Sequence, residues 1–344
     1  MSPLSRVTLE DVARQAGVSV ATVDRVLNGR TGVRAKTVVR VRDAIDALRY
    51  VPNRLTGELS ASHPIRLAFV LPQGSNTFMR ELAAEIEALR GRDDIRRTDI
   101  TLVHTDVFSA AALADCLNGL QGKYDGVAVV ALDHPIVREA LESLSATGIP
   151  VVTLISDVPN GRRAHYVGID NTAAGRTAGT LVGRFVGGRR GKVGILAGSL
   201  TLRDHVERVF GFEQVIVESF PNLTRLPVGE SQDDHSKAGA LVEKLLADHP
   251  DLIALYNAGA GNRGIVPVIG ASGRARELIF IAHELTAETR PGLVGGTIDA
   301  IISQNRGHEA RSALRILISK HEGRPIVPDQ ERIRIDIFMR DNLP

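Results

Sequence analysis

Between residues 9 and 48 the apolar positions recur every three to four residues in three short runs, each bounded by a capping or breaking residue. Leu9, Val12, Ala13 and Ala16 form the first stripe. Thr8 stands at its N-cap, and Asp11 lies in the first turn, where the helix dipole favours negative charge. Gly17 ends this helix. Ser19 is placed to cap a second helix over 20–27, with Val23, Val26 and Leu27 inward and Asn28-Gly29 ending it. A third helix from about 35 to 48 is expected to turn Val38, Val39, Val41, Ile45 and Leu48 inward and Lys36, Arg40, Arg42 and Arg49 outward. Two short helices joined by a glycine-containing turn form the helix-turn-helix arrangement, in which the second helix enters the DNA major groove. A protein-docking bundle would share the pattern.

From Ile65 onward the period changes. Short Val/Ile-rich runs at 65–71, 100–105, 126–131, 151–155, 166–169, 192–197, 252–256 and 278–282 predict strands. Amphipathic segments at 78–89, 110–119, 135–147, 172–186, 205–217, 234–248 and 307–320 predict the helices between them. This alternation indicates parallel βαβ units, and about eight strands point to two sheets. Ligands of such sheets bind beyond the carboxyl ends of the strands. The segments there are rich in donors and acceptors, among them Asn76, Asp157, Glu207-Arg208, Asn257 and His283-Glu284. Carboxylates and guanidinium groups suit a polyhydroxylated solute, because each can engage two adjacent hydroxyls.

Charge sharpens this division. Of 42 Lys+Arg and 40 Asp+Glu, residues 1–62 hold ten and six, a local excess of +4. A compact cationic module ahead of a mildly acidic body suits a polyanion reader coupled to something else. The single Cys116 excludes a disulfide framework or a thiolate cluster and fits a reducing compartment. Early acidic residues and the lack of a long apolar run argue against a secretory or mitochondrial leader and against a membrane span, so a cytoplasmic protein is expected. The ten histidines show no HxxxH or HExxH spacing, and neither a nucleophile elbow nor a P-loop follows a strand. No metal, cofactor or enzymatic activity is therefore expected.

The stretch VTLEDVARQAGVSVATVDRVLNG, followed by VRAKTVVRVRDAIDALRYVPNRL, resembles the headpiece of the LacI/GalR family of bacterial transcription regulators without a gap from residue 7 to about 61. The resemblance implies a set of residues at DNA: Thr8, Ser19, Val20, Ala21, Thr22, Arg25, Asn28, Arg34, Tyr50, Asn53, Arg54 and Leu59. Val20 and Ala21 occupy the family's variable base-reading positions and can offer only apolar contacts. Arg25 occupies the base-contacting arginine position, suited to guanine O6 and N7, with a phosphate contact as the alternative. Asp24 replaces the family's usual Ser, and is expected either to accept from cytosine N4 or to orient Arg25. Leu59 stands where the family's hinge helix wedges a leucine into the minor groove. Gly57 and Glu58 weaken that helix.

The rest of the chain, about 63–340, resembles the family's sugar-binding core and the type I periplasmic sugar-binding proteins. The implied architecture is a small all-α helix-turn-helix domain followed by an α/β core of two doubly wound parallel-sheet subdomains. The expected boundaries are 1–51 for the headpiece, 52–62 for the hinge and 63–344 for the core. Within the core, one subdomain takes about 63–163 and 296–326, and the other about 164–295 and 327–344. By position, Asn76 and Phe78 match a hydroxyl donor and a stacking aromatic, and Met79 replaces a second aromatic. Arg208, four residues before Phe212, matches the ligand-clamping arginine; Glu284 stands for an Asp, and Gln304 matches a late polar ligand. Asp157 lies near a site that is Asp-Arg in many sugar binders, so the second arginine clamp is missing. Arg203, Asp204 and His205 are candidates to compensate, and the loop from Asn257 to Asn262 could bring backbone amides to a ligand. The last eleven residues are too few for tetramerising heptads, so a homodimer is expected. The resemblance implies a repressor bound to operator DNA and responsive to a sugar or polyol. A solute-binding protein for carbohydrate transport and a sugar-processing enzyme are the competing classes.

Overall fold

The computed structural model describes residues 9–27, 32–48, 64–90 and 98–344. By its contacts the chain divides into two units, residues 1–63 and 64–344. Thr8, Asn28, Tyr50, Asn53, Arg54 and Leu59, and with them the hinge at 52–62, lie outside the described residues, as does the side chain of Asp24.

In the first unit, α1 (Leu9–Ala16), α2 (Val20–Leu27) and α3 (Ala35–Ala47) follow the three predicted stripes. Ser19 starts α2: its Oγ accepts from Thr22 N at 3.3 Å and pairs with Thr22 Oγ1 at 2.9 Å. Val12, Ala13, Ala16, Val23, Val41 and Ala44 form the core, with Val26, Leu27, Ile45 and Leu48 packed against it. Val39 corrects the sequence expectation. It is 57% exposed, because a 100° step per residue cannot turn Val38, Val39 and Val41 to one face.

The second unit carries two sheets. Its first part runs β1 (Ile65–Pro72), α4 (Thr77–Glu87), β2 (Thr98–Thr105), α5 (Ala110–Asn118), β3 (Gly126–Val129), α6 (Pro135–Ala146), β4 (Val151–Leu154) and β5 (His165–Val167). These strands form a parallel sheet in the order β2-β1-β3-β4-β5. The chain then crosses into α7 (Asn171–Val186), β6 (Gly191–Ala197), α8 (Arg203–Ser219), β7 (Leu223–Arg225), β8 (Gly229–Glu230), α9 (His235–Asp248), β9 (Leu252–Asn257), α10 (Asn262–Ala271), β10 (Ile279–His283), α11 (Thr289–Val294) and β11 (Ala300–Gln304). It returns with α12 (Arg306–His321), which packs on α4 and on β3, β4 and β5, and ends with α13 (Pro328–Glu331) and β12 (Ile335–Phe338). The second sheet is ordered β12-β11-β10-β9-β6-β7, with β8 on β6, and only β12 is antiparallel.

Two crossovers differ from the expected boundaries. β5 pairs with β4 and so stays in the first sheet, which moves the first crossing beyond Val167. β11 pairs with β10, so the return to the first sheet follows Gln304 and does not begin near 296. The sequence pattern also missed β7, β8, β11, β12, α10, α11 and α13. β7 and β8 have three residues and two, too few for a period, and α10 contains Pro267.

α7 and α8 lie backbone to backbone. A Cβ on Gly175 would fall 1.9 Å from the carbonyl oxygen of Arg208, and one on Gly211 would fall 2.2 Å from that of Thr172. Glycine is required at both contacts, because any side chain would force the helices apart. This close approach sets Arg208, on the second turn of α8, against Asn171, with Nε 2.8 Å from Oδ1. A buried cluster containing Phe69, Phe78, Phe212, Tyr256 and Ile302 runs beneath the same region.

Candidate functional site

The segments beyond the carboxyl ends of β1, β4, β6, β8, β9, β10 and β11 meet at one cleft of about 440 Å³. This is the position that parallel sheets reserve for ligands. Among the described residues, four non-glycine residues hold a left-handed backbone: Ile155 (φ 66°), Gln232 (54°), Asp233 (56°) and Glu284 (66°). All four line the cleft. Such conformations cost about 1–3 kcal/mol each and persist where surrounding structure fixes them, most often at functional sites.

Arg208 is the buried cation of this cleft. Its Nε donates to Asn171 Oδ1 at 2.8 Å and its Nη1 to Ala258 O at 3.0 Å, while Nη2 has no hydrogen-bond partner. Burial opposes its charge, but the carboxylates of Asp204 and Glu284 more than offset this and raise its pKa. Glu284 Oε1 lies 3.9 Å from Nη2, too far for a direct bond. Gln304 Nε2 donates to Glu284 Oε1 at 2.9 Å, and Ser303 Oγ donates to Oε2 at 3.3 Å. Burial raises the pKa of Glu284 despite Arg208. Gln304 Oε1 is left without a partner.

The network continues behind Arg208. Tyr256 stacks on Phe212 with ring centroids 4.5 Å apart, and its hydroxyl lies 2.9 Å from His283 Nε2. Burial, with Arg208 and His205 nearby, pushes His283 well below its usual pKa, so its ring is neutral. Asn171 Nδ2 donates to Tyr166 Oη at 3.1 Å, and Tyr166 donates to the carbonyl of Ile155 at 2.9 Å or of Ile169 at 3.1 Å. Arg208 is thereby tied to the segments that cross between the sheets.

Seven of the ten sequence-derived ligand candidates line this cleft: Asn76, Phe78, Met79, His205, Arg208, Glu284 and Gln304. Asn76 is already committed. Its Oδ1 accepts from Met79 N at 3.3 Å to cap α4, and its Nδ2 donates to Asp233 Oδ2 at 2.9 Å. The other three lie off the cleft. Asp157 accepts from Thr153 Oγ1 and from Arg163, each at 2.6 Å, and so braces its own loop. Arg203 pairs with Glu207 at 2.7 Å and lines a separate depression with Asp133 and Val206. Asn257 donates to Ala260 O at 2.9 Å and to Asn262 Oδ1 at 2.8 Å, which shapes the loop after β9.

Asp233 and His235 line the cleft although sequence reasoning assigned them no ligand role, and His283 and Asn262 line it from the segments after β10 and β9. Asp234 caps α9 through Lys237 N at 2.9 Å, whereas Asp233 turns its carboxylate to Asn76 Nδ2 and Ala260 N. Only its left-handed backbone redirects it, and no sequence period carries that information. Among the described residues, no group of three or more His, Cys, Asp and Glu side chains is arranged to hold a metal ion.

In the first unit, Val20, Ala21 and Arg25 are exposed on α2, Thr22 is half-buried, and Arg34 is exposed just before α3. Among the described residues no helix is long and apolar enough to cross a membrane.

Residues 8–53 match the family of bacterial regulatory proteins called the lacI family, and residues 67–325 match the periplasmic binding protein domain. Catabolite control protein A of Priestia megaterium is 29% identical over 270 residues, 78% of each chain. Catabolite control protein A of Staphylococcus aureus is 32% identical over 175 residues, 49% of this chain and 50% of that one. Among solved structures, GanP, a glucose-galactose binding protein from Geobacillus stearothermophilus, matches with a TM-score of 0.73 at 22% identity, over 82% of this chain and all of that one. At that identity the likeness concerns the fold.

Proposed function

Since this chain belongs to the lacI family of bacterial regulatory proteins and carries a periplasmic-binding-protein core, we propose that it is a cytoplasmic transcription repressor acting as a homodimer on a pseudo-palindromic operator. Two recognition helices α2 then read half-sites about one helical turn apart. The observation that carries this reading is the presence, in one chain, of the lacI-type segment 8–53 and a cleft whose buried guanidinium keeps Nη2 unpartnered. A polyhydroxylated effector suits the cleft. One hydroxyl can accept from Arg208 Nη2 and donate to Glu284, bridging the 3.9 Å that separates them.

The effector and the operator are linked. An effector that changes operator affinity has its own affinity changed by the same factor, and a full switch needs a preference of about 5.5 kcal/mol between the two states. The test is a footprint of the full chain on DNA upstream of its own gene, titrated with hexoses, pentoses and cyclitols. Arg208→Lys keeps the charge and loses the planar fork. It is expected to weaken effector binding at least about tenfold, or ~1.4 kcal/mol, with operator binding by the effector-free protein preserved. No footprint on any such DNA overturns the regulator. Loss of DNA binding in Arg208→Lys together with effector binding signals misfolding, which a lowered Tm would identify.

A further inference from the structure

The cleft carries more buried negative charge than it neutralises. Asp204, Asp233 and Glu284 are each at least nine-tenths buried on its wall, beside a single buried guanidinium, Arg208, which Asp204 and Glu284 act on. The remaining lining cation, Lys237, is exposed and engaged with Gln232, while Asp106 and Asp234 add further carboxyls to the lining and Glu288 is paired with Arg80 and Arg263. His283 does not supply the missing cation, because burial keeps its ring neutral.

Hydrogen bonding separates the three buried carboxylates. Asp233 is satisfied by Ala260 N and Asn76 Nδ2, both at 2.9 Å. Glu284 is held by Gln304 and Ser303. Asp204 is not satisfied: its Oδ1 is shut off from solvent with no donor, and its Oδ2 stands 3.7 Å from His205 Nε2, beyond hydrogen-bond reach. His205 Nδ1 lies 3.1 Å from Ser199 N and 3.2 Å from Ser199 O, so Nε2 is the ring atom that faces Asp204, and it stands too far off to donate. A buried carboxylate oxygen without a donor is costly, and the cost is removed when a bound cation supplies one. An anionic ligand would deepen the imbalance, and a neutral hydroxyl would fill the acceptor but leave the charge.

On the reading of this cleft as the effector site, we propose that the effector is a polyhydroxylated molecule bearing a protonated amine, an aminosugar or aminocyclitol, whose ammonium group sits on Asp204. Arg208 Nη2, Gln304 Oε1 and Glu284 take its hydroxyls. Asp204 and Arg208 are one turn apart on α8, so the ammonium and the clamped hydroxyl lie on the same side of the ligand.

The experiment is calorimetric titration of the full chain at pH 7 with matched sets: D-glucosamine, D-glucose and D-glucuronate; D-galactosamine, D-galactose and D-galacturonate; and streptamine and scyllo-inositol. At least one amine is expected to bind tenfold or more tightly than its hydroxyl counterpart, and no uronate is expected to bind. Asp204→Asn, with a Tm within a few degrees of the parent, is expected to bring the amine-to-hydroxyl ratio close to one. A hydroxyl compound or uronate binding more tightly than its amine overturns this inference and leaves the effector reading standing. Absence of binding across all sets overturns both. If Asp204→Asn fails to fold, the parent's ranking across the sets still decides.

Discussion

Asn76 and Asp233 join the two walls of the cleft: Nδ2 of the residue that caps α4 donates to Oδ2 of the residue that leads into α9, at 2.9 Å. One belongs to the first sheet's side of the core and the other to the second's. Arg80 with Glu288, 3.6 Å apart, and Ala287 N with Glu81 Oε1, at 3.3 Å, add weaker ties between α4 and the segment after β10. The same amide that sequence reasoning assigned to a ligand hydroxyl thus closes the cleft on itself.

Asp233→Ala is expected to loosen this closure. A hydrogen bond to a charged group contributes about 1.5–3 kcal/mol, enough to shift an open–closed balance severalfold or more. Hydrogen exchange should quicken in residues 74–79 and 231–235 of the effector-free protein, and small-angle scattering should report a larger radius of gyration. Unchanged exchange in both segments would show that Asn76 and Asp233 do not hold the cleft.

Gly175→Ala is expected to separate α7 from α8, since the added methyl would meet the Arg208 carbonyl at 1.9 Å. Overpacking of this kind costs about 1–3 kcal/mol. Because the displaced backbone carries Arg208, effector affinity should fall along with the Tm. A lowered Tm with unaltered effector affinity would mean that α8 relaxes without moving its clamp.

Glu309 is completely buried, and neither carboxyl oxygen has a partner. Burial, then the neighbouring Glu284, raises its pKa well above its ordinary 4.5, against the pull of Arg208 and Arg306. The folded state therefore keeps a proton that the unfolded chain releases, and stability falls as pH rises above about 4.5 toward the folded pKa, by at most ~1.4 kcal/mol per pH unit for one proton. His283 works in the opposite sense. Its lowered pKa means that the unfolded chain gains a proton below about 6.5 that the folded state refuses, so stability falls as pH drops. Between these values the two slopes oppose each other. Glu309→Met should raise stability at pH 8 and expose the rising His283 slope below pH 6.5, as followed by urea unfolding at each pH. Parallel pH profiles for variant and parent would show that Glu309 is ionised in the fold.

Arg25→Ala should cost about 1–3 kcal/mol of operator affinity and relax preference at one base position. Its side chain is exposed on α2, so the Tm should barely move. Weakening that is uniform across all operator variants would reassign Arg25 to a phosphate.

Much of the architecture was legible in the amino-acid order. Local periods predicted α1, α2 and α3, and short Val/Ile runs predicted eight of the strands, because burial of one face or of a whole strand leaves a repeat in the sequence. The family resemblance marked Arg208 through its place four residues before Phe212 and Glu284 through its place after β10, and both reach the cleft. Phe78 and Gln304 did as well. Asp157, Arg203 and Asn257 did not, and their spacing could not have warned of it, since each is drawn away by a partner within six residues on its own segment.

The sequence by itself therefore determined the elements, the parallel βαβ build and the resemblance that names the chemistry of both units, since these depend on repeats and spacings within short stretches of chain. Only the tertiary structure decided which side chains share the cleft. The crossings after Val167 and Gln304, the left-handed turns at Asp233 and Glu284, the Asn76–Asp233 bond and the unsatisfied Asp204 all depend on contacts between distant segments. Such contacts are set by packing and by the need to pair buried polar groups, and neither leaves a period in the sequence.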